Sequence, residues 1–184
     1  LNSLAVITVL HQLGIATKAI REGLARFEGV RRRQEVRGVV RGITVIDDFA
    51  HHPTAVQETL DALRQAYAGS RLIAVFEPRT NSSRRKVFQE RYVHVFNGAD
   101  VIIVKEQEPL ANVAPEERFS CRQLVDELQG IGANAFYFSD TSEIIEHLGR
   151  TARKGDVIAV LSNGGFDNIH FRLLERLRQG NELN

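Results

Sequence analysis

The chain has 184 residues, a formal net charge of +1 and 43% hydrophobic residues. This length suits one domain, or one domain together with a piece of another. The near-zero net charge gives no general electrostatic case for binding nucleic acid or an anionic membrane. A single cysteine, Cys121, excludes an intramolecular disulfide framework and fits a reducing compartment.

Neither a transmembrane-length apolar run nor a signal-peptide pattern is present in the sequence. The chain contains no methionine, even at position 1, and it opens inside an apolar pattern. We therefore expect it to be a piece of a longer protein.

The first 28 residues have helical patterns. Leu4, Ile7 and His11 are spaced along one helix face, and a second helical pattern follows. We predict that residues 1–28 are the helical tail of a preceding domain and that residues 29–184 form the next domain.

A basic run and two strand-like runs open the second segment. The three arginines at positions 31–33 are typical of a solvated surface. Glu35–Val40 and Ile43–Ile46 are separated by two residues, Arg-Gly, which predicts a β-hairpin. Pro53 follows, and Thr54 and Gln57 have the spacing of a capping box, which predicts that a helix begins at about Pro53.

Four further apolar runs do not alternate with polar residues, and helical patterns separate them. Continuous apolar strands are expected where helices cover both faces of a sheet. We therefore predict an α/β fold with a doubly wound, mostly parallel sheet, an N-terminal β-hairpin and a short helical lead-in. The runs are Leu72–Phe76, Val101–Val104, Ala135–Phe138 and Val157–Leu161, and the helical segments are roughly Ser83–Asn97, Cys121–Gln129, Thr141–Arg150 and Asp167–Arg178.

The turn after the hairpin is rich in groups that bind ligands. Asp47 and Asp48 end a strand, and His51 and His52 follow them. The carboxylate of Asp48 is able to accept hydrogen bonds from a sugar diol. The plain alternative is a helix cap with bystander histidines. A zinc site at the two histidines is a further alternative, although neighbouring side chains project in different directions.

Two other polar turns follow predicted strands. Arg79 offers a guanidinium fork to a carboxylate, or it pairs with Glu77 as a solvated loop arginine. The turn at residues 162–165 lets the backbone approach a ligand, or is an ordinary strand-to-helix turn. Because ligands of open α/β sheets bind beyond the carboxyl ends of the strands, we expect all three turns to converge there. The P-loop and the Rossmann glycine fingerprint are absent.

Together these pieces resemble the C-terminal domain of the Mur ligases, ATP-dependent enzymes of bacterial cell-wall synthesis. The most specific part is DDFAHHPT, preceded by RFEGVRRRQE, and the resemblance covers almost the whole chain. EPRTNSSRRKVFQ and LSNGGFDNIHFRLL look like the recycling branch, which joins L-alanyl-γ-D-glutamyl-meso-diaminopimelate to UDP-N-acetylmuramate. The L-alanine-adding branch typically has Pro-His-Arg-Tyr and Gly-Ala-Gly-Asp loops where this chain has residues 77–80 and 163–166.

The resemblance implies a Rossmann-like domain that acts with missing central and N-terminal domains. ATP and Mg²⁺ would be required, with the P-loop and the magnesium ligands in those domains. UDP-N-acetylmuramate and the murein tripeptide would be the partners, with no nucleic acid and no membrane, in the bacterial cytoplasm. This chain would carry no catalytic residue and no metal ligand, and it would be inactive alone.

The family pattern also implies two groups of contact residues, one on the ATP side and one on the peptide side. On the ATP side are Asn2 near the adenine, Arg33 near the phosphates, Asp48 at the ribose hydroxyls and His51 in the same loop. On the peptide side are Arg79, Asn81, Ser162, Asn163, Gly164 and Gly165.

Two other interpretations stay open. One is a different ligase of the superfamily, such as the L-alanine-adding enzyme or a folylpolyglutamate-type ligase. The other is a non-catalytic α/β binding module, which a P-loop encoded upstream of residue 1 would exclude.

Overall fold

The computed structural model describes residues 2–79, 86–108 and 113–180, and only the backbone of Asn2 and Pro115. The chain folds as two compact units, Leu1–Arg31 and Arg32–Asn184. Within the described ranges, no helix is long and apolar enough to cross a membrane.

The first unit consists of two helices, α1 (Asn2–Gln12) and α2 (Thr17–Ala25). Gly14 follows α1 with φ of +77°, a conformation that glycine adopts without steric cost and that is common where a helix ends. Large apolar side chains such as Leu4 and Phe27 are exposed. The assignment of residues 1–28 to a preceding domain stays a prediction.

The second unit has the predicted α/β alternation. The hairpin is observed, and Arg41 and Gly42 form its turn with positive φ, which suits a two-residue hairpin loop. The elements are β1 (Glu35–Val40), β2 (Ile43–Asp48), α3 (Pro53–Ala66), β3 (Leu72–Phe76), α4 (Gln89–Val95), β4 (Val101–Lys105), α5 (Cys121–Gly130), β5 (Ala135–Phe138), α6 (Thr141–Thr151), β6 (Val157–Leu161) and α7 (Ile169–Gln179), with 3₁₀ turns at Lys86–Phe88, Pro115–Glu117 and Phe166–Asn168.

Within the described residues, six strands form one sheet in the order β1-β2-β6-β3-β4-β5. The pair β1–β2 is antiparallel and all other pairs are parallel. In register, Leu161 of β6 pairs with Asp48 of β2 on one side and with Phe76 of β3 on the other. The predicted mostly parallel sheet is confirmed.

Helices cover both faces of this sheet, which explains why its central strands are apolar throughout. Side chains of alternate residues point to opposite faces, so each strand contributes to two cores. On one face, Ile46, Phe76 and Leu161 pack with side chains from α3, α4 and α5. On the other face, Val45 and Val160 pack with side chains from α6 and α7.

One of two predicted helix starts is confirmed and the other is wrong. Helix α3 begins at Pro53, as predicted. Its N-cap residue is His52, without a side-chain hydrogen bond, so Thr54 lies too far inside the helix to form the capping box. The last helix begins at Ile169 rather than at Asp167, because residues 166–168 have φ between 44° and 55°. Of the predicted helix Ser83–Asn97, the described part is the 3₁₀ turn and α4.

Candidate functional site

The three polar turns meet at one edge of the sheet, as the sequence predicts. They follow β2, β3 and β6, which are neighbouring parallel strands, and the strand ends are in register. Contacts between the turns reinforce this arrangement: Ser162 N–H donates to the Asp48 carbonyl, and Glu77 N–H donates to the Leu161 carbonyl. This edge is therefore the candidate site.

Asp48 is buried beneath the first turn, with 2% of its surface exposed. Its Oδ2 accepts a hydrogen bond from Gln34 N–H at 2.8 Å. Its Oδ1 accepts from Ala50 N–H at 2.7 Å and from the Thr59 hydroxyl at 3.3 Å. Both carboxylate oxygens thus hold the chain around the turn, but they do not cap α3, whose N-cap residue is His52. The ribose contact implied by the resemblance stays a prediction.

A cationic and aromatic group lies at the surface of the same turn. The guanidinium carbon of the exposed Arg33 is 5.9 Å from the centre of the Phe49 ring, and the His51 ring meets that of Phe49 edge-on. The hydroxyl of Tyr92 donates a hydrogen bond to the His51 carbonyl and fixes the backbone there. Arg33 and His51 thus both lie against the ring of Phe49.

The two histidines make separate contacts. His51 Nδ1 lies 2.9 Å from the Phe49 carbonyl, whereas the His52 ring packs edge-on against Phe88. Among the residues that the structure describes, no group of three or more His, Cys, Asp and Glu side chains is arranged to hold a metal ion. The geometry therefore gives the zinc alternative no support.

Arg79 reaches across the site onto the turn after β6. A Cβ atom placed on Gly164 would lie 2.2 Å from Arg79 Cδ and 2.5 Å from its Nε. The Arg79 side chain is 49% exposed, and its Nη1 lies 3.8 Å from Glu77 Oε1, which is a long ion pair. The sequence predicted either a guanidinium that binds a ligand carboxylate or an ion pair with Glu77. The structure shows a half-exposed guanidinium that makes only a long ion pair with Glu77.

Glu77 is buried and makes contacts beyond the pairing with Arg79 that the sequence suggested. One of its carboxylate oxygens accepts from the Ser162 hydroxyl at 2.5 Å, and the other accepts from the Gln107 amide at 3.0 Å. Lys105 Nζ lies 3.7 Å from Glu77 and 3.9 Å from the Asp167 carboxylate. The sequence signal for this network was the position of Glu77 directly after the apolar strand β3.

The other residues that the family resemblance implies differ in burial, and the side chains of two of them are not described by the structure. Ser162 is buried, and its hydroxyl also accepts from Gly164 N–H at 3.0 Å. Asn163 Oδ1 is buried without a hydrogen-bond partner among the described residues, and Gly165 is exposed at the outer end of the turn. Asn81 and the side chain of Asn2 lie outside the described residues.

The basic run is only partly the solvated surface that was predicted. Arg32 donates from Nε to Asp47 Oδ2 at 3.1 Å, and its side chain is 27% exposed. His170 Nε2 lies 3.4 Å from the other Asp47 oxygen, without hydrogen-bond geometry. Burial opposes ionisation of Asp47, but His170 and Arg32 outweigh that effect and lower its pKa.

Comparison with known proteins identifies the family to which this site belongs. The family model described as Mur ligase, glutamate ligase domain matches residues 31–164. A UDP-N-acetylmuramate–L-alanine ligase from Geobacter sp. strain M21 is 36% identical over 183 residues, which are 99% of this chain and 39% of that protein. A UDP-N-acetylmuramate–L-alanyl-gamma-D-glutamyl-meso-2,6-diaminoheptandioate ligase from Escherichia coli K12 is 35% identical over 177 residues, 96% of this chain and 36% of that protein.

A solved structure agrees with these sequence comparisons. The crystal structure of a murein peptide ligase from Psychrobacter arcticus has a TM-score of 0.73 and 33% identity, and the match covers 96% of this chain and 36% of that one. The chain thus spans less than two fifths of the length of these two ligases. With the family pattern, the sheet and the polar edge in agreement, this chain belongs to the Mur ligase, glutamate ligase domain family.

Proposed function

We propose that this chain is the amine-presenting domain of an ATP-dependent ligase that joins L-alanyl-γ-D-glutamyl-meso-diaminopimelate to UDP-N-acetylmuramate. The observation that carries the proposal is the half-exposed Arg79 guanidinium lying on the Gly164 backbone at the polar edge. A guanidinium binds a carboxylate through two parallel hydrogen bonds. The tripeptide carries several carboxylates beyond its amino end, and Arg79 would hold one of them.

The chemistry would proceed in two steps. The muramyl carboxylate attacks the γ-phosphate of ATP, giving an acyl phosphate and ADP. The free amine of the tripeptide then attacks the acyl carbon, loses a proton and expels phosphate. Such reactions depend mainly on positioning and electrostatic stabilisation. This chain would set the reach of the amine, and the missing domains would hold the phosphates.

The ATP side of the site would use the first turn. Arg33 is exposed over Phe49 beside His51, which suits contact with an anionic nucleotide. Asp48 would approach the ribose while it holds the turn, because a carboxylate has more lone pairs than the three bonds it accepts here. Mg²⁺, which neutralises phosphate charge in such reactions, would be bound by residues outside this chain.

A second candidate is the domain of an L-alanine-adding ligase in the same family. It is favoured by the 36% identity to the Geobacter enzyme, which is similar to the 35% identity to the Escherichia coli tripeptide ligase. The choice of the tripeptide branch rests on the turns at residues 77–79 and 162–165. Both candidates place the protein in peptidoglycan synthesis and the bacterial cytoplasm.

The full-length parent enzyme, assayed with UDP-N-acetylmuramate and ATP, distinguishes the two candidates. Phosphate release is measured with L-alanine and with the tripeptide at matched concentrations. We expect the tripeptide kcat/KM to exceed that of L-alanine by at least about a hundredfold, since one added charged hydrogen-bond site changes affinity by roughly ten- to hundredfold and the tripeptide offers several. Preference for L-alanine would reject the tripeptide assignment, and no activity with either amine would support a non-catalytic module.

A further inference from the structure

We propose that Arg32 is a positioning residue that fixes the turn at residues 162–165 in the shape on which Arg79 rests. Its Nη2 donates to two backbone carbonyls of that turn, at 2.7 Å to Ser162 and at 2.8 Å to Gly164. Its Nε donates to the Asp47 carboxylate at 3.1 Å. One guanidinium thus joins the end of β2 to the peptide side of the site. This inference rests on the proposed function.

The backbone of Arg32 is also held in place. Its N–H donates to Glu35 Oε2 at 2.8 Å, and its carbonyl accepts from Phe49 N–H at 2.9 Å. Its φ is 58°, so it occupies the left-handed region that non-glycine residues rarely adopt. A residue held at an unfavourable φ by contacts on both sides is fixed in position, which makes it a rigid base for its side chain.

The geometry requires a guanidinium rather than a positive charge alone. Two carbonyls and a carboxylate lie around its planar group, and Arg presents several N–H donors in a fixed fork. The ammonium of Lys is a compact point charge that is unable to match three acceptors at these separations. The largely buried Asp47 neutralises the guanidinium, and His170 Nε2 lies 3.4 Å from the same carboxylate.

The consequence for the peptide side follows from the contact between the turn and Arg79. Gly164 supplies one of the carbonyls that Arg32 binds, and its backbone lies directly beneath the Arg79 side chain. If the turn loses its hold, the surface under Arg79 moves, and the guanidinium that would bind the peptide carboxylate loses its fixed direction. Arg32 would therefore act on peptide binding without touching the peptide.

The test is Arg32→Lys in the full-length enzyme, with Arg178→Lys at an exposed position of α7 as the matched control. We expect Arg32→Lys to raise the tripeptide KM roughly tenfold, because hydrogen bonds with a charged donor are lost. The ATP KM should change less than about twofold, and the control should change neither value. A tripeptide KM within about twofold of wild type would overturn the inference.

A double-mutant cycle and hydrogen exchange separate this mechanism from general destabilisation. If Arg32 acts through the surface under Arg79, then Arg32→Lys adds little to the tripeptide KM in a Gly164→Ala background. Independent, multiplicative effects would contradict the mechanism. In the 184-residue chain, Arg32→Lys should speed amide exchange in residues 161–166 but not in β4; equal acceleration in both would indicate a purely structural role.

Failure of the proposed function and failure of the Arg32 inference are distinguishable by experiment. If wild type uses L-alanine instead of the tripeptide, the proposed function fails, and the Arg32 effect is then read from exchange in residues 161–166. If Arg32→Lys does not fold, Asp47→Asn removes the charge that holds the guanidinium and should raise the tripeptide KM in the same direction. An unchanged KM in folded Asp47→Asn would then reject the inference.

Discussion

The side chain of Arg79 lies so close to Gly164 that a methyl group on residue 164 would sit 2.2 Å from Arg79 Cδ. Gly164→Ala must therefore displace the guanidinium. Because the atoms it meets belong to a flexible exposed side chain, the fold should yield at little cost, within about 1 kcal/mol in the free energy of unfolding. In the full-length enzyme we expect the tripeptide KM to rise roughly tenfold.

Two other glycines provide comparisons for this variant. A Cβ on Gly165 meets no atom within 4 Å, so Gly165→Ala leaves Arg79 in place and should raise the tripeptide KM less than Gly164→Ala. Gly130, at the end of α5, is equally open and far from the site, and Gly130→Ala should leave both KM values unchanged. Equal effects of the three substitutions would show that Arg79 does not depend on the backbone beneath it.

Removal of the Arg79 fork tests its assignment to the peptide directly. In the full-length enzyme, Arg79→Ala should raise the tripeptide KM by more than about tenfold, because a charge-assisted contact is lost. The ATP KM should stay within about twofold, since the nucleotide is assigned to a different turn. Steady-state kinetics with each substrate varied in turn gives both values, and similar increases in the two would refute the clamp.

Asp48 and Asp140 both accept hydrogen bonds from two backbone N–H groups, but with different atoms. Asp48 uses both oxygens, whereas Asp140 uses Oδ1 alone at the exposed start of α6. Asp48→Asn therefore points an amide NH₂ at a buried donor and should cost about 2 kcal/mol of unfolding free energy. Asp140→Asn keeps its acceptor and should cost less than about 0.5 kcal/mol.

Urea unfolding of the 184-residue chain measures both changes. An Asp48→Asn variant as stable as Asp140→Asn would mean that the observed hydrogen bonds do not hold the turn. In the full-length enzyme, Asp48→Asn should also weaken ATP binding if the ribose assignment is right. Loss of stability with unchanged ATP affinity would leave Asp48 a structural role alone.

The sheet was predictable from sequence because its central strands are covered on both faces. Such strands lack polar residues, so Leu72–Phe76 and Val157–Leu161 have the bounds that the apolar runs predicted. The convergence of the polar turns followed, since parallel neighbouring strands end at one edge. These features depend on hydrophobic periodicity, which is readable within a short window of sequence.

The Arg32 contacts were not predictable in that way. The sequence around an arginine in a basic run does not distinguish a solvated side chain from a paired one. The partners of Arg32, Ser162 and Gly164, are 130 and 132 residues away in the chain. Their acceptors are backbone carbonyls, which every residue carries. The helix start at Ile169 was also not predictable. Residues 166–168 have positive φ, but none of them is a glycine, the residue type that usually indicates such a conformation in a sequence.

Asn168 is the exposed end of this left-handed stretch, with φ of 55°. Asn tolerates the left-handed region better than Ala does, and Gly enters it without strain. Asn168→Ala should therefore lower the unfolding free energy by about 1 kcal/mol, and Asn168→Gly should change it by less than about 0.5 kcal/mol. Asn97→Ala, at an exposed turn position with negative φ, is the control in urea unfolding.

The lowered pKa of Asp47 predicts how the stability of the chain depends on pH. Burial opposes its ionisation, but His170 and Arg32 reverse that effect, so its folded-state pKa lies below the ordinary value of 3.8. A carboxyl group with a depressed pKa binds more protons when unfolded than when folded. Its contribution is therefore fully present well above the unfolded-state pKa, and it is lost as pH falls towards the folded-state pKa.

Asp47→Asn removes this titration and isolates it from the other acidic groups. At pH 6–7 the variant should be less stable than wild type, and this difference in unfolding free energy should shrink as pH falls below about 4. Urea unfolding of both chains at half-unit steps of pH measures the difference directly. A difference that stays constant down to pH 3, or grows on acidification, would mean that Arg32 and His170 do not favour the ionised form of Asp47.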